Sequence, residues 1–255
     1  MSAAAAPLVP GSLRALLRAH RTCRRCGRGY PIAPACVAAA LDPIPDSACR
    51  RCAQRCAGGR CPSLGCRRGR LRIGTTRCVL GYHCGAARAL VLAAKDRGSA
   101  PAATLLARLL VGWVADTPAV RDYDVLVPVP FHPATVRGRR WHPLTAIYLE
   151  ALPYLRGRVP CDDLAPPFLA QTRPITAQRG RAEAARWRAV HGVFALGFRT
   201  RMLRGAHVLL LDDVMTSGAT VSECARVLLD DGGAATVDAC VFVRQPWRGR
   251  AGGVI

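Results

Sequence analysis

Two adjacent carboxylates, Asp212 and Asp213, stand directly after the apolar run Val208-Leu-Leu-Leu211 and directly before Val214-Met-Thr-Ser-Gly-Ala-Thr220. A continuous apolar run of this kind reads as a buried parallel strand. Its C-terminal end is the edge at which open α/β sheets bind ligands. The small residues that follow let backbone N–H groups converge on an anion, and a helix start adds partial positive charge. Gly218 permits a backbone conformation that a side chain would forbid. Met215, Thr216, Ser217, Ala219 and Thr220 complete the turn, three of them with hydroxyl donors. Two carboxylates aimed at a phosphate would repel it, whereas aimed at sugar hydroxyls they accept hydrogen bonds. A phosphate in the turn and a ribose over the carboxylates together describe a ribose 5-phosphate site. An ordinary capped helix start accounts for Ser or Thr here, but not for the acidic pair.

The elements that must carry this site follow from the rest of the chain. Helical patterns run over 81–97, 101–115 and 144–152, and apolar strands over 123–130 and 236–243. A helix near 221–229 follows the turn, and a strand or loop return covers 190–196. Strands alternating with helices give a mainly parallel α/β sheet. The stretch 171–188 is polar and basic and reads as a long functional loop. Residues 161–169 read as irregular or briefly extended.

Ten of the thirteen cysteines fall between Cys23 and Cys84. Residues 22–66 have little periodicity and too little apolar content to fold without a staple. Cys23-x2-Cys26 and Cys49-x2-Cys52 are knuckle-type pairs able to grip a tetrahedral Zn²⁺. Cys36, Cys61 and Cys66 are further ligand candidates. By count the cluster suffices for two sites, whose division the spacing leaves open: one could join Cys23, Cys26 and Cys36 with one other ligand, and a second Cys49, Cys52, Cys61 and Cys66. A redox pair would sit at a helix start in a βαβ context, which this region lacks. Cys78, Cys84, Cys161, Cys224 and Cys240 read as structural, and His83 as a surface side chain.

The 255 residues suit one large domain, or one domain with a small module. We divide them into a cysteine-rich module over 1–75 and an α/β domain over 76–255. The formal charge of +21 is concentrated in the first hundred residues, which hold 18 basic and 3 acidic side chains. Such a field favours phosphate-rich partners, including nucleic acid. Of 37 basic residues all but Lys95 are Arg, a skew that codon drift explains, although drift does not create the net charge. No apolar run reaches the ~18–20 residues of a membrane helix, and no secretory leader is evident, so the expected location is the cytoplasm.

The thirteen residues Val208–Thr220 resemble the phosphoribosyl pyrophosphate (PRPP) signature of type I phosphoribosyltransferases at every position. With the cysteine module the chain resembles the ComF family over most of its length. Tyr82, Lys95 and Gly98 are similar to that family's tyrosine and lysine–glycine element. Val127-Pro-Val-Pro130 resembles its strand end, and Arg137 and Arg139 its basic loop. Gln178, Arg186, Gly192 and Phe194 fall where the family has its glutamine, arginine and Gly-x-Phe. The chain departs from the pattern at Arg140-Trp-His142, Arg181, Ala189 and Ala33. The resemblance implies a type I phosphoribosyltransferase fold with a small N-terminal zinc-ribbon-like module. It implies an enzyme that binds PRPP with Mg²⁺ and transfers its phosphoribosyl group to a nitrogen acceptor. Asp212 and Asp213 would hold the ribose hydroxyls, Met215–Thr220 the 5-phosphate, and Arg137 and Arg139 the pyrophosphate, with Val214 also among the PRPP-binding residues. Gln178 and Arg186 would lie on a loop closing over the site. The alternatives are a binding protein for single-stranded DNA in natural competence, with partners in the uptake machinery, and a PRPP sensor without turnover.

Overall fold

The computed structural model describes residues 42–136, 142–164, 167–175, 183–197 and 200–247. Four strands, β1 (Thr76–Cys78), β2 (Val125–Pro128), β5 (His207–Met215) and β6 (Thr236–Arg244), form a parallel sheet in the order β1-β6-β5-β2. Two short strands, β3 (Leu169–Gln171) and β4 (Phe194–Leu196), pair antiparallel beside it. The helices are α1 (Leu64–Arg67), α2 (Gly85–Lys95), α3 (Ala100–Asp116), α4 (Pro143–Leu155), α5 (Glu183–Val190) and α6 (Ala219–Arg226). A wider turn over Val227–Asp231 continues α6. The fold is the α/β architecture expected, with a mainly parallel sheet and a cysteine cluster at one end.

The central strands form because their side chains are apolar on both faces. Val208, Leu209, Leu210 and Leu211 are fully buried, as are Ala239–Val243 of β6. Each large aliphatic chain so buried contributes about 1.5–3 kcal/mol. Helices α2, α3 and α4 bury Leu90, Leu106, Leu110, Ile147 and Tyr148 in the same core. Ser99 caps α3, its Oγ accepting from the Ala102 N–H at 3.4 Å. Among the described residues no helix is long and apolar enough to cross a membrane.

Three local readings change. Residues 183–190, within the stretch expected to be a loop, form α5 and pack on α6. Ala184, Ala185 and Ala189 supply helix propensity, and packing supplies the rest. β1 was not foreseen as a strand; it is three residues long and edges the sheet. His83 is half-buried rather than on the surface, its Nδ1 lying 2.7 Å from the Gln245 Oε1.

Candidate phosphate loop and metal centre

β5 carries its apolar run into the acidic pair, so the core fixes where the carboxylates stand. Asp212 Oδ1 accepts from the Asp213 N–H at 2.8 Å, and Asp213 Oδ1 from the Val214 N–H at 2.7 Å. Lys95, the last residue of α2, places its Nζ 2.6 Å from Asp213 Oδ2. This ion pair separates two neighbours of identical chemistry. Burial, followed by the Asp213 charge, pushes the Asp212 carboxyl up to about 7. Burial also acts on Asp213, but the Lys95 ammonium outweighs it and holds that carboxyl below its ordinary value. Asp213 is therefore the charged member and Asp212 the one poised near neutrality.

The turn that follows has features that would suit an anion. Gly218 has φ +81° and precedes α6, and a Cβ there would meet Leu71 Cδ2 and Met215 Cε at 2.7 Å. Ser217 is buried, with its Oγ accepting from the Ala219 N–H at 3.3 Å, while Thr216 is exposed. Among the described residues, the N–H groups of Thr216, Ser217 and Gly218 meet no acceptor. Three unpartnered donors at a helix start can receive phosphate oxygens.

β2 lies beside β5, with Pro128 opposite Leu211 and the Val129 N–H donating to the Leu211 carbonyl at 2.8 Å. The chain therefore leaves β2 at the same sheet edge as Asp212 and Asp213. Arg137 and Arg139 of that segment lie outside the described residues, as does Gln178. Arg186 sits on α5. A small pocket beside Asp213 is lined by Lys95, Pro143, Leu144, Ile147 and Phe242.

The cysteine cluster assembles from two segments. Cys49 and Cys52 come from a tight turn in which the Ala53 N–H donates to the Cys49 carbonyl at 2.7 Å. Cys61 precedes α1 and Cys66 lies on it. The four Sγ atoms all lie within 4.8 Å of one another, with Cys52–Cys61 at 3.4 Å and Cys49–Cys66 at 3.8 Å. A tetrahedral zinc with Zn–S near 2.3 Å has S–S edges of roughly 3.7 Å. The donor set and spacing therefore fit Zn²⁺. The Cys66 hydrogen bond and the other neighbours hold the Cys52 thiol down to about 5 despite its burial. Burial raises Cys61, and the bond to Cys52, followed by burial, raises Cys66. These opposed shifts are those of thiols sharing one site. This grouping is the second of the two sites that the cysteine spacing allows, over Cys49, Cys52, Cys61 and Cys66. Cys23, Cys26 and Cys36 lie outside the described residues. Cys224 and Cys240 are fully buried among core side chains, apart from the cluster.

Arg244, at the end of β6, was not foreseen. It is 1% exposed. Its Nε donates to the Cys52 carbonyl at 2.6 Å and its guanidinium reaches the Met215 carbonyl at 2.6 Å. Its Nη1, which makes the Met215 contact, also donates to the Thr216 carbonyl and, at 3.1 Å, to that of Gln245. The only signal in the sequence is a charged residue ending the run Val241-Phe-Val243, which ordinarily marks a solvated strand end.

No curated protein matches the chain. The family model of the phosphoribosyl transferase domain matches residues 169–251, the stretch from β3 past β6 that holds the acidic pair, the phosphate turn and Arg244. The match supports a phosphoribosyl transferase domain over this part of the chain.

Proposed function

We propose that this protein binds PRPP with Mg²⁺ and transfers the 5-phosphoribosyl group to a nitrogen acceptor, as the resemblance to the ComF family implies. The observation that carries the reading is the acidic pair at the end of β5, followed by three N–H donors that meet no acceptor among the described residues. The 5-phosphate would sit against the N–H groups of Thr216, Ser217 and Gly218. The ribose hydroxyls would donate to Asp212 and Asp213, with Lys95 keeping Asp213 charged. Arg137 and Arg139 would meet the pyrophosphate. The hard oxygens of this environment suit Mg²⁺, which substrate oxygens would chiefly hold and which supplies neutralisation of pyrophosphate charge. The acceptor nitrogen forms the new bond to the anomeric carbon as the bond to pyrophosphate oxygen breaks. The proton of the acceptor N–H goes to solvent or to the leaving group. The protein's contribution is positioning and charge stabilisation. Structural Zn²⁺ would be held by Cys49, Cys52, Cys61 and Cys66.

The test is pyrophosphate release from PRPP and Mg²⁺ across a panel of nitrogen bases. Release that requires one base class supports transfer. PRPP binding without release from any base would contradict turnover and leave a sensor.

One observation favours a second reading, a single-stranded DNA-binding protein of DNA uptake. Arg50, Arg51, Arg60, Arg67, Arg68 and Arg70 are all exposed around the cysteine cluster. DNA affinity falling steeply with salt would support this reading, and salt-independent or absent binding would remove it.

A further inference from the structure

Arg244 touches both the cysteine cluster and the phosphate turn. Its Nε holds the carbonyl of Cys52, one of the four clustered thiols. One terminal nitrogen holds the carbonyls of Met215 and Thr216. These carbonyls belong to the peptides whose N–H groups are those of Thr216 and Ser217. Across a trans peptide the N–H points away from the C=O. A guanidinium that grips both carbonyls therefore aims both N–H groups to the opposite side, where no described residue accepts them. The side chain is fully covered, and its acceptors among the described residues are uncharged carbonyls. Four thiolates around Zn²⁺ carry a net negative charge that would face this buried cation.

A second contact joins the same two regions. Ser222 Oγ, on the first turns of α6, accepts from the Arg72 N–H at 3.0 Å and donates to the Arg70 carbonyl at 2.8 Å. Leu71 between them packs under Gly218. The segment that follows Cys66 is thus tied to the helix that opens the phosphate turn.

We infer that Arg244 is a positioning residue coupling the cysteine cluster to the phosphate turn, so that a metal-loaded cluster raises the affinity of the turn for a phosphate monoester. The inference rests on the ribose 5-phosphate reading of the turn. With the knuckle closed, the Cys52 carbonyl fixes one edge of the guanidinium and the other edge holds the turn in its anion-accepting form. With the knuckle open, Arg244 loses an acceptor and its cover, and the two carbonyls are released. Coupling between binding sites is reciprocal. Ribose 5-phosphate must then tighten zinc by the same factor that zinc tightens ribose 5-phosphate.

The experiment measures zinc affinity of the full chain by competition with a chromophoric chelator, with and without saturating ribose 5-phosphate. Calorimetry on the zinc-loaded protein runs beside it. Wild type is expected to bind zinc about fivefold more tightly or better with the sugar phosphate present, the lower end of usual coupling. Arg244→Lys keeps the charge but lacks the planar fork. It is expected to retain zinc, bind ribose 5-phosphate more weakly and lose most of the reciprocal effect. Wild-type zinc affinity unchanged by ribose 5-phosphate that calorimetry shows to be bound would overturn the coupling and leave the site reading standing. No binding of ribose 5-phosphate to the zinc-loaded wild type would overturn both. The wild-type measurement decides the matter even if the variant fails to fold.

Discussion

The phosphate turn and the cysteine knuckle meet at Arg244, yet different forces hold them. The turn hangs from β5, whose residues Val208–Leu211 are fully buried between β2 and β6. Its position is a consequence of the main core. The knuckle adds few large apolar side chains of its own: the buried residues over 48–71 are Ala48, Cys52, Ala53, Gln54, Ser63, Gly65 and Leu71, with Cys49, Cys61 and Cys66 partly buried against the main core. Polar contacts add to the anchoring. Gln54 donates to the Gln245 carbonyl at 2.9 Å and accepts from the Trp247 N–H at 3.0 Å. The main core fixes the first region, whereas the second carries four thiols spaced as a metal would hold them.

The largest expected effect separates the two. Cys66→Ser should abolish tight zinc binding, since structural zinc contributes on the order of 10–16 kcal/mol in small zinc modules. Limited proteolysis should then cut within 49–72 while the sheet domain stays resistant. A zinc content one ion lower in the variant than in wild type checks the ligand set. If the sheet domain also lost its cooperative melting, the two regions would not differ as described.

Leu210→Ala is the converse change. It opens a cavity in the strand between β2 and β6 and should cost about 2–5 kcal/mol. Thermal melting should fall while zinc stoichiometry is kept. Next in size is Gly218→Ala. The left-handed φ costs an alanine roughly 1–2 kcal/mol, and the 2.7 Å approaches to Leu71 and Met215 require movement of both. Binding of ribose 5-phosphate should weaken more than stability falls, as calorimetry and melting on the same variant would show.

How legible each region is in the sequence follows from the same difference. Val208–Thr220 is contiguous, so strand, carboxylates and turn are read as one pattern, and the structure keeps them together. Helices α2, α3 and α4 announce themselves by periodicity, within a few residues of their ends. The knuckle is assembled from chain segments that spacing alone could group in more than one way. Only folding brings Cys61 and Cys66 to Cys49 and Cys52. β1 escaped notice because Thr76-Arg77-Cys78 has no apolar run and is a strand only by pairing with β6. Helix α5 hid in a polar stretch, held by Glu183 Oε1 accepting from the Gly65 N–H at 3.2 Å. Arg244 looked like a solvated strand end. Only the order β1-β6-β5-β2 and the knuckle above it make that position interior.

The smallest effect concerns the acidic pair. Asp212 titrates near 7 when folded against about 3.9 unfolded. The folded state then holds a proton that the unfolded chain has released. Its contribution to stability is complete below about 3.9 and is lost as pH rises through 7. Asp213 runs in the opposite sense, its contribution being present above about 3.9 and lost in acid. Asp212→Asn removes only the first dependence. The melting temperature of the variant relative to wild type should be higher at pH 8 than at pH 5, although the variant binds ribose less well.

The most direct test of the account is calorimetric titration with PRPP and Mg²⁺ of the zinc-loaded protein and of its Asp212→Asn/Asp213→Asn variant. Saturable binding by wild type, strongly weakened in a variant that still melts cooperatively, is the predicted result. No binding by folded, zinc-loaded wild type would contradict a ribose 5-phosphate site at the end of β5.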